Sequence, residues 1–427
     1  MVVGIFLGSL LGTMALGMPI AFALILSGVA LMIHMDLFDG QIVAQTVLQG
    51  ADSFTLIAVP FFMLAGEIMN QGGLSKRIVD LAVALVGHRR GGLGFVCILA
   101  ACVLSSLSGS AVADAAALAA LLMPMMIKSG HDPAQSGGLI ASSAIIGPII
   151  PPSIGFILYG VVGGVSITKL FLAGIAPGLM IGAALCITWL IVIRKQTFEL
   201  PVRASGPERR HALASSLWAL MLPVIIIFGL KFGIFTPTEA GVVAAVYSLF
   251  VAMVVYRELT PRMLFGVFAA AAKTTAVVMF LVAAASVSAW LITVADLPGA
   301  MVAMLEPLMD NQTLLLLAIM VLIVAVGTAM DMTPTILILT PVLIPVIKEA
   351  GIDPVYFGVL FIINNSIGLI TPPVGTVLNV VCGVGRIPME KLIRGVWPFM
   401  VAQLIVLMLL VFFPALVTVP AAFFSGR

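Results

Sequence analysis

Two pairs of adjacent prolines lie in the middle of otherwise apolar segments, in residues 147–153 (GPIIPPS) and 368–374 (GLITPPV). Each proline removes a backbone donor and clashes with the carbonyl one turn earlier, so two in succession break a helix. Carbonyl oxygens freed in this way cannot remain unsatisfied in an apolar environment, and they must line a cavity or bind something. Because carbonyl and hydroxyl oxygens suit a hard cation, the breaks predict cation sites. The alternative is a plain proline kink satisfied by neighbouring groups.

Two further polar stretches are candidates for the opposite wall of such a site. Residues 105–110 (SSLSGS) are serine or glycine at every position except Leu107, and residues 327–334 (GTAMDMTP) form the second stretch. A single serine in an apolar helix usually bonds to its own backbone. The density of serine and glycine instead suits a helix interruption whose amides and hydroxyls face a ligand. Helix amino termini at such a point would attract an anionic group.

Two aspartates, Asp114 and Asp331, lie inside apolar segments next to these polar stretches. An ionisable residue is expensive in a membrane, so its presence there suggests a function. The alternative is a structural role, in which the carboxylate caps a helix or bonds to a neighbouring one. The sequence leaves both readings open.

The composition requires a membrane around these groups. Of the 427 residues, 62% are hydrophobic and 9% are charged, whereas a soluble domain carries about 25% charged residues. Many apolar runs reach the roughly 20 residues that a membrane-spanning helix needs. The net charge is +2 and the basic residues cluster in short loops, so no nucleic-acid partner is expected. The four cysteines lack metal-ligand spacing, and no nucleotide-binding motif appears.

The distribution of lysine and arginine predicts the topology, because basic residues in short loops mark the cytoplasmic side. The longest polar stretch, from Arg194 to His211, carries five of them. It predicts a cytoplasmic linker at 194–214 between two halves. Residues 34–50 and 296–312 lack lysine and arginine entirely, and they are expected to be external loops.

The two halves repeat one sequence pattern at a constant offset of 221 residues. The matched glycines, aspartate, isoleucine and prolines of the first half are Pro124, Gly130, Asp132, Pro133, Gly147, Ile149, Pro151, Pro152, Gly174 and Pro177. The predicted fold is therefore an all-α polytopic membrane protein made of two repeats, 1–193 and 215–427. Each would have about five crossings, and an odd number inverts the second copy relative to the first. Inverted repeats that meet at discontinuous helices are typical of secondary transporters.

Each predicted repeat contains a re-entrant hairpin and a proline-broken helix. In the first repeat these are residues 93–127 and 135–165. In the second repeat they are residues 313–347 and 355–384. The hairpins and broken helices would meet in the middle of the membrane.

Almost the whole chain resembles the large membrane subunit of a tripartite ATP-independent periplasmic (TRAP) transporter. The matching stretches are GADSFTLIAVPFFMLAGEIMNQGGLSKRIVDL, SSLSGSAVADAAALAALLMPMM, GPIIPPSIGFILYG, FTPTEAGVVAA, LTPVLIPVIKEAGIDPVYFGV and NNSIGLITPPVGTVLNV. The resemblance implies an elevator-type importer in the bacterial inner membrane, coupled to Na⁺. It also implies a small membrane subunit of about four helices and a periplasmic substrate-binding protein as partners. The expected substrates are organic anions such as sialic acid, other sugar acids and C4-dicarboxylates.

The resemblance also assigns site residues. One Na⁺ site would be formed by Ser105, Ser110, Gly147, Ile150 and Pro152, and a second by Gly327, Gly368, Thr371 and Val374, with backbone carbonyls as ligands where the side chains are apolar. Substrate contacts would come from Ser108, Ser153 and Asp331. No lysine or arginine lies in the hairpins or the breaks, so the anion would depend on helix termini, hydroxyls and nearby Na⁺. An aspartate beside an anion favours a hydroxyl-rich acid over a simple dicarboxylate.

Two other functions compete with a Na⁺-coupled importer. A passive channel or facilitator for organic anions would carry flux without Na⁺ dependence. An intramembrane protease would need a Ser/His pair or paired aspartates at depth, but the four histidines all fall in predicted loops or at helix ends. The protease is therefore disfavoured.

Overall fold

The computed structural model describes residues 2–195 and 203–425, apart from the side chains of Val3, Ser106, Leu107, Ser108, Lys195 and Ser425. This part of the chain is helical. Its α-helices are α1 (Val2–Ala15), α2 (Ile20–His34), α3 (Gly40–Ala51), α4 (Ala58–Gln71), α5 (Leu74–Val86), α6 (Gly92–Ser108), α7 (Ala111–Lys128), α8 (Pro133–Ala144), α9 (Ile154–Gly163), α10 (Ile167–Val192), α11 (Gly206–Lys231), α12 (Pro237–Phe250), α13 (Pro261–Val294), α14 (Leu297–Met309), α15 (Gln312–Ala329), α16 (Met332–Glu349), α17 (Pro354–Gly368), α18 (Thr376–Gly385), α19 (Met389–Phe412) and α20 (Ala415–Ser425). Within the described ranges, nine helical segments are long and apolar enough to cross a membrane.

The proline pairs separate two helices in each half. Helix α8 ends at Ala144 and α9 begins at Ile154, while α17 ends at Gly368 and α18 begins at Thr376. The Pro151–Pro152 and Pro372–Pro373 peptide bonds are both cis. The chain between each pair of helices is not helical, as expected where proline interrupts a helix.

The helices that lead into the breaks are buried on every side. All residues of α17 from Tyr356 to Gly368 are buried, and so are those of α8 from Ser136 to Ala144. Small residues allow the close packing that this requires. A Cβ on Gly395 of α19 would lie 1.9 Å from the carbonyl oxygen of Ala134 in α8. The two broken helices are therefore the centre of the molecule.

The serine-rich and aspartate-containing stretches form the tips of two helical hairpins. Helices α6 and α7 pack against each other and are joined through Gly109, whose φ is +60°, and Ser110. Helices α15 and α16 also pack together and are joined through Met330 and Asp331. Glycine suits the left-handed backbone at the first tip because it has no side chain to clash.

Several segments differ from the expectations drawn from sequence. Residues 34–50 and 296–312 were expected in external loops, but most of each segment lies in a helix, α3 or α14. Asp39 caps α3 by accepting a hydrogen bond from the backbone N–H of Gln41 at 2.7 Å. The lack of lysine and arginine predicts on which side of the membrane a segment lies. It does not predict whether that segment is helical.

Two boundaries also differ. Helix α11 begins at Gly206, inside the segment expected to link the halves at 194–214, because Ser205 and Glu208 form a capping box. The linker residues 196–202 lie outside the described part. The last predicted helix divides into α19 and α20 at Pro414, which cannot donate a backbone hydrogen bond.

Two short helices, α5 and α14, occupy similar places next to the hairpins. Helix α5 packs on α4, which precedes it, and on α6, which starts the first hairpin. Helix α14 likewise packs on α13 and on both helices of the second hairpin. Each short helix therefore joins an outer helix to a hairpin.

Candidate functional site

The second break contains a close crossing of two backbones. A Cβ on Gly368 would lie 2.9 Å from the carbonyl carbon of Gly327 and 3.0 Å from its carbonyl oxygen. The hydroxyl of Thr371 donates to the carbonyl of Ile367 at 2.7 Å, and its N–H donates to the carbonyl of Gly368 at 3.0 Å. The structure thus brings together Gly327, Gly368 and Thr371, three of the four residues expected at the second cation site.

Val374, the fourth residue of that set, is placed differently. Its carbonyl accepts a hydrogen bond from the side-chain amide of Asn379 at 2.9 Å, and its own side chain is exposed. A carbonyl oxygen has two lone pairs, so this bond leaves capacity for one further partner.

Asn365 is a polar residue at this crossing that was not predicted from the sequence. Its side chain is fully buried, and its Nδ2 donates to the carbonyl of Met332 at 3.2 Å. Its Oδ1 has no hydrogen-bond partner within the described part of the chain. A Cβ on Gly327 would lie 3.0 Å from this oxygen, so the oxygen faces the crossing. Amide and carbonyl oxygens are ligands for hard cations, and Asn365 offers one that the protein leaves unused.

The first break is built around Gly147 and Asp114. A Cβ on Gly147 would lie 2.5 Å from Oδ2 of Asp114 and 3.0 Å from the carbonyl oxygen of Ala144. Asp114 is buried, with 3% of its surface exposed. The first break therefore has a carboxylate beside it, whereas the second has the neutral amide of Asn365.

The tip of the first hairpin touches the same break. A Cβ on Gly109 would lie 2.9 Å from the carbonyl oxygen of Pro152. Ser110 caps α7, accepting from the N–H of Ala113 at 3.4 Å, and the hydroxyl of Ser105 donates to the carbonyl of Ala101. The structure therefore places Gly109 and Pro152 in contact, with Ser105 in α6 and Ser110 directly before α7.

Ile150 supports the break from behind. Its side chain packs on α10, where a Cβ on Gly178 would lie 2.4 Å from its Cγ1. Its N–H donates to the carbonyl of Ile146 at 3.1 Å. Only a backbone carbonyl of Ile150 is suited to a cation, because its side chain is engaged in apolar packing.

Two of the residues expected to contact substrate, Ser153 and Asp331, lie near a contact between the two halves. Ser153 caps α9, accepting from the N–H of Phe156 at 3.2 Å and donating to the carbonyl of Pro148. A Cβ on Gly155 would lie 3.5 Å from Oγ of Ser153 and 3.1 Å from Sδ of Met332, the residue after Asp331. The tip of the second hairpin therefore contacts the first break. The side chain of Ser108 lies outside the described residues.

Asp331 stands at the amino terminus of α16 but does not cap it with its side chain. Its Oδ1 instead accepts a hydrogen bond from the hydroxyl of Thr376, the first residue of α18, at 3.4 Å. Thr376 was not identified from sequence. The carboxylate joins the hairpin tip to the second break and keeps acceptor capacity for a ligand.

Four helices begin around this region, namely α7, α9, α16 and α18. A helix amino terminus carries partial positive charge and unsatisfied N–H groups, so it favours an anion. The two breaks differ in exposure: residues 145–153 are all buried, but Pro373 and Val374 are exposed. The arrangement can bind cations through oxygens and an anionic group through helix termini, and it is open on the side of the second break.

A helical membrane protein with discontinuous helices that meet buried polar hairpin tips is built as a secondary transporter. The comparison with known families agrees. Residues 7–416 match the family described as "Tripartite ATP-independent periplasmic transporter, DctM component". The chain belongs to this family. It is an inner-membrane permease subunit of a transporter and not an enzyme.

Named relatives cover nearly the whole chain. It is 59% identical to the 2,3-diketo-L-gulonate TRAP transporter large permease protein YiaN of Escherichia coli, over 98% of this chain and 99% of the relative. It is 41% identical to the sialic acid TRAP transporter large permease protein SiaM of Vibrio cholerae, over 97% of each chain. The solved YdaH transporter of Alcanivorax borkumensis has a similar fold, with a TM-score of 0.67 at 18% identity over 88% of this chain and 89% of that one.

Proposed function

We propose that the chain is the large transmembrane subunit of a Na⁺-coupled importer of an organic acid anion. It works with a small membrane subunit and receives its substrate from a periplasmic binding protein, as the word tripartite in the family description suggests. The observation that carries the Na⁺ coupling is the unused Oδ1 of Asn365, which faces the crossing of Gly327 and Gly368.

The chemistry of the oxygens supports Na⁺ at both breaks. At the second break the donors are the amide oxygen of Asn365 and backbone carbonyls near Gly327 and Gly368. At the first break the carboxyl group of Asp114 lies beside Gly147 and offers further oxygen ligands. Neutral and anionic oxygens bind hard cations, and a small monovalent ion fits where backbones approach closely.

The substrate class follows from Asp331 and from the relatives. A carboxylate next to an anion is repulsive unless it accepts hydrogen bonds from substrate hydroxyls. The two relatives named above carry 2,3-diketo-L-gulonate and sialic acid in their names. We therefore favour a sugar-derived acid over a C4-dicarboxylate, and 2,3-diketo-L-gulonate is the first compound to test.

Transport by an elevator movement fits the packing. The two hairpins and the two broken helices form one tightly packed unit, in which α8 contacts α7, α18 and α19, and α17 contacts α15 and α16. Such a unit can move as a body past the outer helices while the two inverted halves exchange roles. The bound cations would hold the unit together during the movement.

Uptake in proteoliposomes tests the proposal. The large subunit, the small subunit and the binding protein are combined, and labelled 2,3-diketo-L-gulonate and sialic acid are supplied with a Na⁺ gradient. Accumulation above the external concentration is expected with Na⁺ and is expected to disappear when K⁺ replaces it. Equal uptake in the presence of K⁺ and of Na⁺ would contradict the proposed Na⁺ coupling. Flux that only equilibrates the two sides would instead favour a passive facilitator.

A further inference from the structure

Arg209, in the first turn of α11, carries buried nitrogen atoms without a partner. Its Nε and Nη2 are shielded from solvent, and within residues 2–195 and 203–425 neither atom makes a hydrogen bond. A guanidinium stays protonated at any physiological pH, so it cannot relieve this burial by losing its charge. Its planar N–H groups need an acceptor that the described chain does not supply.

Other basic groups surround Arg209. His88, in the loop between α5 and α6, is half-buried, and its Nδ1 also has no hydrogen-bond partner in the described part. Burial lowers the pKa of His88, and the positive charges of Arg209, Arg203 and Arg89 lower it further. These three guanidinium groups therefore all act electrostatically on one imidazole. We refer to Arg89, Arg203 and Arg209 as the arginine cluster.

The packing of α5 against α11 explains why the cluster forms. The hydroxyl of Ser216 in α11 donates to the carbonyl of Arg77 in α5 at 2.8 Å. Arg77 is near the start of α5, whereas Arg209 lies seven positions before Ser216 and is close to His88, just after the end of α5. The two helices therefore run antiparallel, and the beginning of α11 meets the end of α5.

Among the described residues, the carboxylates near the cluster are engaged elsewhere. Glu208 accepts from the backbone N–H of Ser205 at 2.6 Å, as the capping residue of α11. Glu258 pairs with Arg77 at 2.6 Å. Asp80 interacts electrostatically with Lys76 and Arg77, which are not part of the cluster. These acids leave the positive charge of the cluster in place.

The cluster stands at the edge of a lipid-facing surface. Leu213 and Leu217 follow Arg209 at intervals of four residues, so the three share one face of α11. Their side chains are 51% and 53% exposed. Because α11 is long and apolar enough to span a membrane, these exposed leucines are available to acyl chains. Arg209 is one turn before them, nearer the end of the span.

We propose that the arginine cluster binds the phosphate of an anionic phospholipid whose acyl chains lie along Leu213 and Leu217. A guanidinium binds a phosphate through two parallel hydrogen bonds, and a basic pocket at the membrane surface recognises anionic headgroups. The lipid would satisfy Nε and Nη2 of Arg209 and hold the start of α11 against α5. This assignment is independent of the transported substrate and of Na⁺.

Thermal unfolding in detergent tests the proposal, on the large subunit purified with its small subunit. Phosphatidylglycerol, phosphatidylcholine or inorganic phosphate is titrated into wild type, Arg209→Gln and Arg262→Gln. Arg262 is the matched control because it is an exposed arginine in the first turn of α13. Phosphatidylglycerol is expected to raise the unfolding temperature of wild type and Arg262→Gln. In Arg209→Gln its apparent affinity should fall about tenfold or more, because a charge-assisted bidentate contact is lost.

Three results would overturn the assignment. Equal stabilisation of Arg209→Gln and wild type by phosphatidylglycerol would show that Arg209 does not bind it. Equal effects of phosphatidylcholine and phosphatidylglycerol would show that headgroup charge is irrelevant. Stabilisation by inorganic phosphate alone would identify a site for free anions. If Arg209→Gln is not recovered folded, Arg209→Lys serves instead, because it keeps the positive charge but loses the planar guanidinium group. Unchanged affinity of Arg209→Lys for phosphatidylglycerol would also contradict the proposal.

Discussion

Replacing Gly368 by alanine tests whether the crossing of Gly327 and Gly368 forms a cation site. The new methyl group would lie 2.9 Å from the carbonyl carbon of Gly327 and 3.0 Å from its oxygen and Cα. Ordinary carbon contacts are about 3.5–4.0 Å, so the two backbones must separate by about 0.5–1 Å. Neither side can yield by rotating a side chain, since every close atom belongs to the backbone.

The size of the effect follows from this clash. Forcing an extra methyl group into a packed site costs about 1–3 kcal/mol. If that cost falls on the cation-bound arrangement, the apparent Na⁺ affinity decreases about 5- to 150-fold, at about 1.4 kcal/mol for each factor of ten. Alanine is the better helix former by about 0.5–1 kcal/mol. The fold itself is therefore expected to lose less free energy than cation binding does.

Two assays measure the Na⁺ affinity of Gly368→Ala. One is the Na⁺ dependence of the unfolding temperature of the purified protein, and the other is the Na⁺ dependence of uptake in proteoliposomes. Gly383→Ala is the matched control, because Gly383 lies in α18 and a Cβ there would meet nothing within 4 Å. The control should match wild type. A Gly368→Ala protein with wild-type half-saturation in both assays would refute a cation site at the crossing.

Three further predictions concern single side chains. Asn365→Ala should weaken Na⁺-dependent stabilisation about tenfold, because a buried ligand oxygen is removed. The control is Asn70→Ala, at an exposed position of α4, which should leave the stabilisation unchanged. Equal Na⁺ titrations of Asn365→Ala and wild type would exclude Asn365 as a ligand. Asp331→Asn should raise the KM for a sugar acid about fivefold, because a hydrogen bond to a charged group is stronger than one to a neutral group by about 1 kcal/mol. An unchanged KM in uptake assays would argue against contact between Asp331 and the substrate. His131 lies in the loop between α7 and α8, and burial lowers its pKa below the ordinary value of 6.5. The folded protein therefore favours the neutral imidazole. The free energy of unfolding should be constant above pH 6.5 and should fall as the pH drops from 6.5 toward the folded-state pKa. His131→Gln should flatten this pH dependence in thermal unfolding, and an identical slope in both proteins would contradict it.

The helix breaks could be predicted from sequence because their cause is local. A proline pair disrupts hydrogen bonds within one turn whatever surrounds it. The same holds for the charge on Asp331, which is costly in any apolar segment. Ser153 and Ser110 were assigned as ligands from the family resemblance, and their capping of the helices after a break and a tip was found only in the structure.

Asn365 and Thr376 could not be found in this way. An asparagine inside a buried helix reads as a bond between helices, and Asn365 does make one to the carbonyl of Met332. The free Oδ1 of Asn365 points to a cation site only because the tertiary packing places Gly327 next to it. Thr376 lies 45 positions from the aspartate that it contacts, so only the tertiary fold joins them. Helix α14 was missed because charge bias reports the side of the membrane and not the conformation of the chain.

The short helices α5 and α14 have 13 residues each, which makes both about 20 Å long at 1.5 Å per residue. Each is attached at one end to an outer helix and at the other to a hairpin. In the proposed elevator movement, these two helices would be the connections between the moving hairpins and the outer helices. Their equal length would then give both hairpins the same reach from the outer helices.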